Sequence, residues 1–325
     1  MNSETSKTKR AFICLLLKVS GNVNADAGIG TRVPLKKIIT MNKEIKAFVS
    51  SRCIRRAIRK RLYERGFKVD PMFVEREKLF DAADPIKYID DDLFGYLAPG
   101  EVTSRSGAIK ISPLISLRHT EIKVEFAARF PRNDFIPEAE KAFPTPYEVE
   151  VAEFTGRLNV IISNRIGKFH EEELTEEVKK RIDNKQGEEY STVVKVGNEY
   201  VLPIEKRKER LRAFLEILLC EGWEFPRGAQ SPNIPDYEYA VIALTDKFLP
   251  IFGYVDLTED GCIDEKLLRT MMEQYKDKME KAFIIDYKRG EIRTLEKGEL
   301  KNKQALTNEI WGQVVNDIVN YIITR

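Results

Sequence analysis

The sequence contains few of the residues that build metal centres and disulfide frameworks. Its 325 residues include 4 cysteines and 2 histidines, and no two cysteines form a C-x-x-C pair. A structural zinc site and a disulfide-stabilised fold are therefore not expected. The scattered thiols are typical of a cytosolic protein, and we predict neither a metal ion nor another cofactor.

Long hydrophobic runs are also lacking. No apolar stretch approaches the roughly 18 residues that a membrane-spanning helix requires. The stretch from Phe12 to Leu17 is too short for a signal peptide and carries no cleavage signature. We therefore expect a cytoplasmic protein without a membrane contact.

The remaining composition is that of a globular chain with a highly charged surface. Hydrophobic residues make up 42% and charged residues 33%, which excludes disorder as a description of the whole chain. The length fits about two domains of roughly 150 residues, or one core with large insertions. Strand-like and helix-like segments interleave without a strict βαβ rhythm, which predicts an α+β fold.

The net charge of +2 hides a strong asymmetry along the chain. Residues 1–70 carry 17 Lys and Arg against 5 Asp and Glu, whereas residues 71–325 carry 37 against 47. A basic block on an otherwise acidic protein indicates contact with a polyanion, and nucleic acid is the first candidate. The alternative is a head-to-tail contact between copies, in which the basic region of one meets the acidic region of the next.

Hydrophobic periodicity places the main elements. A short apolar run at 11–19 predicts a buried strand, and a glycine-rich loop follows at 20–37. A helix is expected to begin at the Ser50-Ser51 pair and to end at Gly66. Further segments predict strands at 121–127, 148–152, 157–163, 192–202 (with a turn at Gly197-Asn198) and 239–244. Residues 171–185 are expected to form a charged helix or arm, and helices are predicted at 205–221, 264–283 and 308–325.

The predicted helix after Ser50 is the strongest functional signal. Between 52 and 65 it holds one acid, Glu64, and a set of cations: Arg52, Arg55, Arg56, Arg59, Lys60, Arg61 and Arg65. Spacings of three and four residues place the first four arginines on one side of the helix. Ser50 and Ser51 lie at its N-terminus, where free N–H groups favour phosphate. The alternative is a solvated charged face without a ligand.

The loop that precedes this helix is a second candidate region. Asn22 and Asn24 offer amide groups, and the loop also holds the cations Arg32, Lys36 and Lys37. No dinucleotide or phosphate-loop motif is present. The carboxylates at 90–92 are interpreted as a loop with a helix cap, and no nucleophile, catalytic dyad or metal constellation is found.

Three segments resemble the backbone subunits of type I CRISPR surveillance complexes (Cascade) of the RAMP superfamily. SSRCIRRAIR at 50–59 resembles their S-S-x-x-[IL]-[KR]-R-A-x-R segment, which follows a strand and an Asn-bearing loop. DDDLFGYL at 90–97 resembles their D-x-x-L-F-G element, and SRSGAIKISPLISL at 104–117 resembles the segment after it. With the chain length, the resemblance is to the DevR branch, which is associated with type I-B systems.

This resemblance implies a hand-shaped protein. Its palm would be an RRM-like (ferredoxin-like) core made of residues 1–66 and about 115–325. A helical finger insertion would occupy about 67–114, with an outer limit at 150, and a β-hairpin thumb would lie within 165–205. Several copies would stack along the CRISPR RNA spacer as a filament and present it to target DNA in antiviral defence, together with other surveillance-complex subunits.

The resemblance also assigns the RNA-binding residues. These are Asn22, Asn24, Ser50, Ser51, Arg52, Arg55, Arg56 and Arg59, with Arg32, Lys36, Lys37, Arg105 and Lys110 as weaker matches. No aspartate aligns with the cleaving residue of related type III subunits, so we expect a non-catalytic protein. The alternatives are an RNA endonuclease of the same superfamily and a DNA-binding autoregulator.

Overall fold

The computed structural model describes residues 8–25, 28, 30–75, 77–98, 100, 103–131, 143–226, 232–296 and 298–324. Within them the strands of the first half are β1 (Arg10–Gly21), β2 (Arg32–Val33), β3 (Lys37–Ile39), β4 (Ile45–Val49), β5 (Phe73–Glu75), β6 (Lys78–Phe80), β7 (Gly95–Ala98), β8 (Thr103–Ser106), β9 (Ile109–Ile111), β10 (Leu114–Ser116), β11 (Lys123–Arg129) and β12 (Thr145–Ser163). The later strands are β13 (Lys168–His170), β14 (Val194–Val196), β15 (Glu199–Val201), β16 (Asp236–Thr245), β17 (Lys281–Asp286), β18 (Glu291–Glu296), β19 (Glu299–Leu300) and β20 (Gln304–Ala305).

The helices lie between these strands and after them. They are α1 (Ser51–Glu64), α2 (Ile89–Phe94), α3 (Glu176–Asp183), α4 (Glu188–Ser191), α5 (Ile204–Glu216), α6 (Glu265–Tyr275) and α7 (Asn308–Ile322). A π-helical turn at 217–221 extends α5 and ends at Gly222, which has φ +78°. This turn completes the helix that the sequence predicts at 205–221.

One large antiparallel sheet organises the chain. From edge to edge its order is β19-β18-β17-β16-β1-β12-β10-β4-β3, with β2, β9 and β11 also paired to β12 and β20 paired to β18. Every pairing in it is antiparallel except that of β2 with β12. The prediction of an α+β fold is confirmed at this level, since helices pack against an antiparallel sheet.

The central strand β1 is buried on both faces of the sheet. Successive side chains of a strand point to opposite faces, so its apolar run serves two cores. On the first face Ile13, Leu15 and Leu17 pack with α1, α5 and α7. On the second face Phe12 and Cys14 pack with α6 and the loop before it. The strand predicted at 11–19 is confirmed, and its continuous hydrophobicity follows from this double burial.

Two predicted boundaries are wrong. The strand segments at 148–152 and 157–163 belong to one strand, β12, whose 19 residues pair with β11 at one end and with β1 along the rest. The helix predicted at 264–283 ends at Tyr275, and β17 begins six residues later. Phe283, Ile284 and Ile285 are buried in alternating cores, and such a short apolar run is ambiguous between strand and helix.

The segment at 67–114, called the insertion below, is not mainly helical as the resemblance predicts. Its described residues form the hairpins β5–β6 and β7–β8 and a single six-residue helix, α2. Two glycines explain the second hairpin, because a Cβ on Gly95 would lie 2.2 Å from the Arg105 carbonyl oxygen and one on Gly107 would lie 2.4 Å from the Phe94 carbonyl carbon. The strand ends thus approach each other more closely than any larger residue allows.

Residues 166–202 form a small unit beside the sheet with an apolar cluster of its own. Phe169, Val178, Tyr190 and Tyr200 are buried there, and Ile86 of the insertion joins them. The turn predicted at Gly197-Asn198 connects β14 to β15, and Gly197 has φ +60°. The insertion and this unit therefore share one core.

Three adjacent buried aspartates in α2 hold these parts together. Asp92 accepts hydrogen bonds from Arg105 (2.9 Å), Arg210 (2.8 Å) and the Gly167 backbone N–H (3.0 Å), so it links the insertion, the unit at 166–202 and α5. Its side chain is fully buried. The prediction that residues 90–92 are a loop with a helix cap is wrong, because they form the first turn of α2 and bind cations of other elements.

The other two aspartates are stabilised in different ways. Asp90 accepts a hydrogen bond from Arg59 Nε at 2.7 Å. Burial, together with the negative charges of Asp70 and Asp90, raises the pKa of Asp91 to about 9. A raised pKa favours the neutral form of Asp91, which reduces the repulsion among three adjacent buried carboxyl groups.

We expect Asp92→Asn to lower the free energy of unfolding by about 3–5 kcal/mol, because it leaves two buried arginines without their shared anion. Chemical denaturation followed by circular dichroism measures this change. Asp183→Asn is the control, since Asp183 is exposed at the end of α3 and should shift stability by about 0.5 kcal/mol or less. Equal midpoints for the two variants would show that Asp92 does not organise the fold.

Candidate nucleic-acid interface

The N-terminus of α1 forms as the sequence predicts. Ser50 is the N-cap, with an extended backbone and a side-chain oxygen that accepts a hydrogen bond from the Cys53 N–H at 3.3 Å. Asn24 Oδ1 in turn accepts from the Ser50 N–H at 2.7 Å. The predicted apolar stripe of Ile54, Ala57, Ile58 and Leu62 is buried on the first face of the sheet. The polar side of the helix therefore faces outward.

The cations of the C-terminal half of α1 are paired with acids. Arg61 donates to Glu64 at 2.6 Å and to Glu221 at 3.1 Å. Arg65 donates to Glu216 of α5 and to the Ala213 carbonyl. These contacts fasten α1 to α5 and its π turn, so this half of the basic helix is structural.

The N-terminal half is different. Arg52 and Arg56 are exposed, and within the described residues neither has a hydrogen-bond or ion-pair partner. Arg55 is half-buried beside them and donates a hydrogen bond of 3.4 Å to the Ser51 carbonyl. Burial lowers the pKa of Arg55, and the charges of Arg59 and Arg52 lower it further. We call residues 50–56 the cationic end; its uncompensated positive charge favours an anion there.

Arg59 connects the cationic end to the insertion. Its Nε donates to Asp90, and its guanidinium lies 5.3 Å from the centroid of the Phe94 ring. About one third of its side chain is exposed. It can thus add to the positive field of the surface while it holds α2 in place.

The loop before α1 is held by a buried carboxylate that sequence reasoning missed. Glu150 of β12 accepts hydrogen bonds from Arg32 (2.8 Å), Lys37 (2.7 Å) and the Leu35 backbone N–H (2.9 Å). Only 4% of the Glu150 side chain is exposed, whereas Arg32 and Lys37 stay about half and one third exposed. The two predicted cations are therefore fixed in position with part of each still open to solvent.

The two predicted asparagines act inside the protein. Asn22 Nδ2 donates to the Glu150 carbonyl at 2.7 Å and to the Val33 carbonyl at 3.4 Å. Asn24 is 9% exposed and binds the Ser50 N–H. Both side chains thus position the loop and the cationic end. Lys36, which is partly exposed, is held at its backbone N–H by the Asn24 carbonyl.

Two weaker matches lie away from this surface. The Arg105 side chain is fully buried between Asp92 and Glu173, so it cannot contact a ligand at the predicted interface. Ile109 and Ile111 pack into the first face of the sheet, and Lys110 between them therefore points to the second face, opposite α1. The sequence gives no sign of either placement. Arg105 is buried because Asp92 and Glu173 pair with it, whereas the direction of Lys110 depends on which side of β9 packs against the first face.

The described residues offer no sign of metal or membrane chemistry. They contain no cluster of three or more His, Cys, Asp and Glu that could hold a metal ion. No helix among them is long and apolar enough to cross a membrane. His119 Nδ1 accepts a hydrogen bond from the Ile45 N–H at 3.2 Å, and so has a structural partner.

Together these features define a mixed α/β protein with an antiparallel sheet, in which Arg52 and Arg56 of α1 are exposed and have no partner among the described residues. The chain belongs to the family of the CRISPR-associated negative auto-regulator DevR/Csa2, whose model matches residues 36–266. No curated protein matches the chain. It is similar to chains of two solved structures, a "CRISPR RNA-guided surveillance complex" (14% identity, TM-score 0.47, 82% of this chain and 82% of that chain covered) and a "CRISPR RNA-guided surveillance complex, pre-nicking" (14%, 0.48, 82% and 89%).

Glu150→Gln should destabilise the protein by about 1–3 kcal/mol near neutral pH, because three donors lose a charged acceptor. Burial acts to raise the pKa of Glu150, but the hydrogen bonds from Lys37 and Leu35 and the charge of Lys37 outweigh it, so the pKa is lowered. A lowered pKa stabilises the fold above the ordinary Glu pKa of about 4.3, and this stabilisation is lost as the pH falls through the folded-state value.

Thermal unfolding of the wild-type protein and of Glu150→Gln between pH 3 and 8 measures this loss of stability. The stability that Glu150→Gln loses relative to wild type should be largest above about pH 5 and should decrease at lower pH. Glu148→Gln is the matched control, since Glu148 lies two residues away on the same side of β12 and is exposed. A difference that is independent of pH would contradict the assignment of Glu150 as an ionised clamp.

Proposed function

We propose that this protein is a non-catalytic, guide-RNA-binding backbone subunit of a type I-B CRISPR surveillance complex. Copies of it would stack along the spacer of the CRISPR RNA in the cytoplasm and present the guide to target DNA in antiviral defence. The observation that carries the proposal is the cationic end of α1, where Arg52 and Arg56 are exposed and have no partner among the described residues. Membership of the DevR/Csa2 family supports it.

The chemistry of the cationic end suits a phosphate backbone. Arginine presents a planar set of donors that binds phosphate oxygens two at a time. The helix N-terminus adds free N–H groups and the positive end of its dipole. Such contacts do not read bases, so binding would be nearly independent of sequence. Sequence would then be read by pairing between guide and target, as in other RNA-guided effectors.

The sheet order supports an RRM-like palm. β16, β1, β12 and β9 are neighbours in that order, and all are antiparallel. Helix α1 connects β1 to the edge of this group, and α5 connects β12 to β16, with both helices on the first face. This is the arrangement of a split βαβ unit. The insertion at 67–114 would supply the fingers, and the hairpin β14–β15 would supply the thumb.

Contacts between copies are supported by charge and by an open sheet edge. The basic residues 1–70 and the acidic remainder are complementary, as a head-to-tail stack requires. At the β3 edge Ile38 and Ile39 are exposed, and Met41 beside them is fully exposed. Apolar side chains on an unpaired edge strand are a typical place for another chain to bind.

A second candidate is a DNA-binding autoregulator, which the family description favours because it names a negative auto-regulator. The cationic end would then bind duplex DNA instead of single-stranded RNA. Competition between an RNA single strand and a duplex that carries the protein's own promoter distinguishes the two. An RNA endonuclease is the third possibility, and RNA that is cut on incubation with the purified protein would establish it.

The purified protein is expected to carry RNA. Light scattering, the 260/280 nm absorbance ratio and sequencing of the extracted nucleic acid would reveal protected RNA in a multi-subunit particle, either rich in CRISPR spacers or mixed in sequence. A monomer that purifies without nucleic acid and does not bind single-stranded RNA, even when its partner subunits are present, would overturn the proposal.

The double variant Arg52→Gln/Arg56→Gln should weaken binding to a single-stranded RNA on the order of 10- to 100-fold at low salt. The slope of log K against log[salt] should become shallower by roughly 0.7 for each lost phosphate contact. Fluorescence anisotropy at several salt concentrations measures both quantities.

The control variant is Arg61→Gln/Arg65→Gln, which removes the same charge from the half of α1 whose arginines are paired with acids. It should retain most of the affinity and the salt slope. If both variants lose affinity equally, total charge decides binding and the cationic end is not a specific contact. The quadruple variant at Arg52, Arg55, Arg56 and Arg59 should abolish binding.

A further inference from the structure

An exposed aromatic side chain continues the line of the unpaired arginines. Tyr63 belongs to α1 and is 70% exposed. Arg52, Arg56 and Tyr63 follow each other at spacings of four and seven residues, about one and two turns, which place all three on one side of the helix. Arg59 and Lys60 lie one turn before Tyr63 and flank it. The outer side of α1 thus presents cations first and an aromatic ring at its end.

The fold gives no structural reason for this tyrosine. The buried stripe of α1 is complete without it, because Ile54, Ala57, Ile58 and Leu62 face the core. Within the described residues the Tyr63 side chain makes no hydrogen bond and no ring contact. A large aromatic at an exposed helix position gains little stability, since aromatic residues are only moderate helix formers.

We propose that Tyr63 stacks on a base of the single-stranded nucleic acid whose phosphates bind the cationic end. This inference rests on the proposed function and adds a contact to the bases. At 1.5 Å per residue the backbone of Tyr63 lies about 10 Å from that of Arg56 along the helix axis, so a strand held at the arginines can reach the ring. Positive charge beside an aromatic ring is the usual arrangement of a single-strand site.

This contact selects the state of the nucleic acid and not its sequence. Every base has a π-face, so stacking tolerates any sequence. In a duplex the faces of interior bases are covered by their neighbours, so the ring gains nothing there. Tyr63 therefore favours a guide whose bases are still unpaired. Duplexes would be held by the arginines alone.

The test compares Tyr63→Leu, which keeps an apolar side chain without a π-face, with Tyr63→Phe, which keeps the ring. Binding to a mixed-sequence 30-nucleotide RNA, to the same RNA as a duplex and to an abasic version of the single strand is measured by anisotropy. For the intact single strand Tyr63→Leu should bind about 5- to 150-fold more weakly than wild type. Tyr63→Phe should bind like wild type.

Three further readouts separate stacking from a general loss of structure. The salt slope of Tyr63→Leu should stay unchanged, because no charge is removed. Its affinities for the duplex and for the abasic strand should equal those of wild type. Its melting temperature should also be unchanged, as expected for an exposed position.

The outcomes distinguish this inference from the function on which it rests. If Arg52→Gln/Arg56→Gln loses RNA binding but Tyr63→Leu does not, the stacking contact is wrong and the RNA-binding surface stands. An equal loss on single strand and duplex also overturns the stacking contact. If the wild-type protein binds no single-stranded RNA, both proposals fall together.

Discussion

The buried carboxylate of Asp92 fixes the relative positions of the chain's separate parts. Its three donors come from the insertion (Arg105), from the unit at 166–202 (Gly167) and from α5 (Arg210), which are far apart in sequence. A buried anion must have partners, and each partner is a buried cation or N–H that needs the anion. Since α5 also packs beside α1, this network and the Asp90–Arg59 bond hold the cationic end against the sheet.

The distribution of acids decides which cations can meet a ligand. Arg61 and Arg65 lie beside carboxylates of α5 and its π turn, and their hydrogen bonds serve the fold. Arg32 and Lys37 are held by Glu150 but keep part of their surface in solvent. Arg52 and Arg56 have no acid near them, and their charge remains uncompensated among the described residues. The basic helix that is continuous in the sequence is therefore divided in the structure into a half paired with acids and the cationic end.

Local signals predicted local structure well. The Ser50 cap, the stripe of Ile54 to Leu62 and the turn at Gly197 follow from side-chain preferences within a few residues, and the structure confirms each of them. Predictions that needed distant partners were less accurate. Residues 281–286 form a strand because they pair with β16 on one side and with β18 on the other. The resemblance predicts that Arg105 binds RNA, yet its side chain is buried between Asp92 and Glu173.

By itself, the sequence determined the basic block, the buried central strand and the start of α1, because charge, apolar periodicity and capping act over a few residues. Its resemblance to the DevR branch is consistent with the family match. Only the tertiary structure decided that Asn22 and Asn24 hold the loop and that Glu150 anchors Arg32 and Lys37. It also decided that Arg52, Arg56 and Tyr63 are exposed and have no partner in the part of the chain that the structure describes. These outcomes depend on which side chains the fold brings together from 26 to 128 residues away, and no local pattern carries that information.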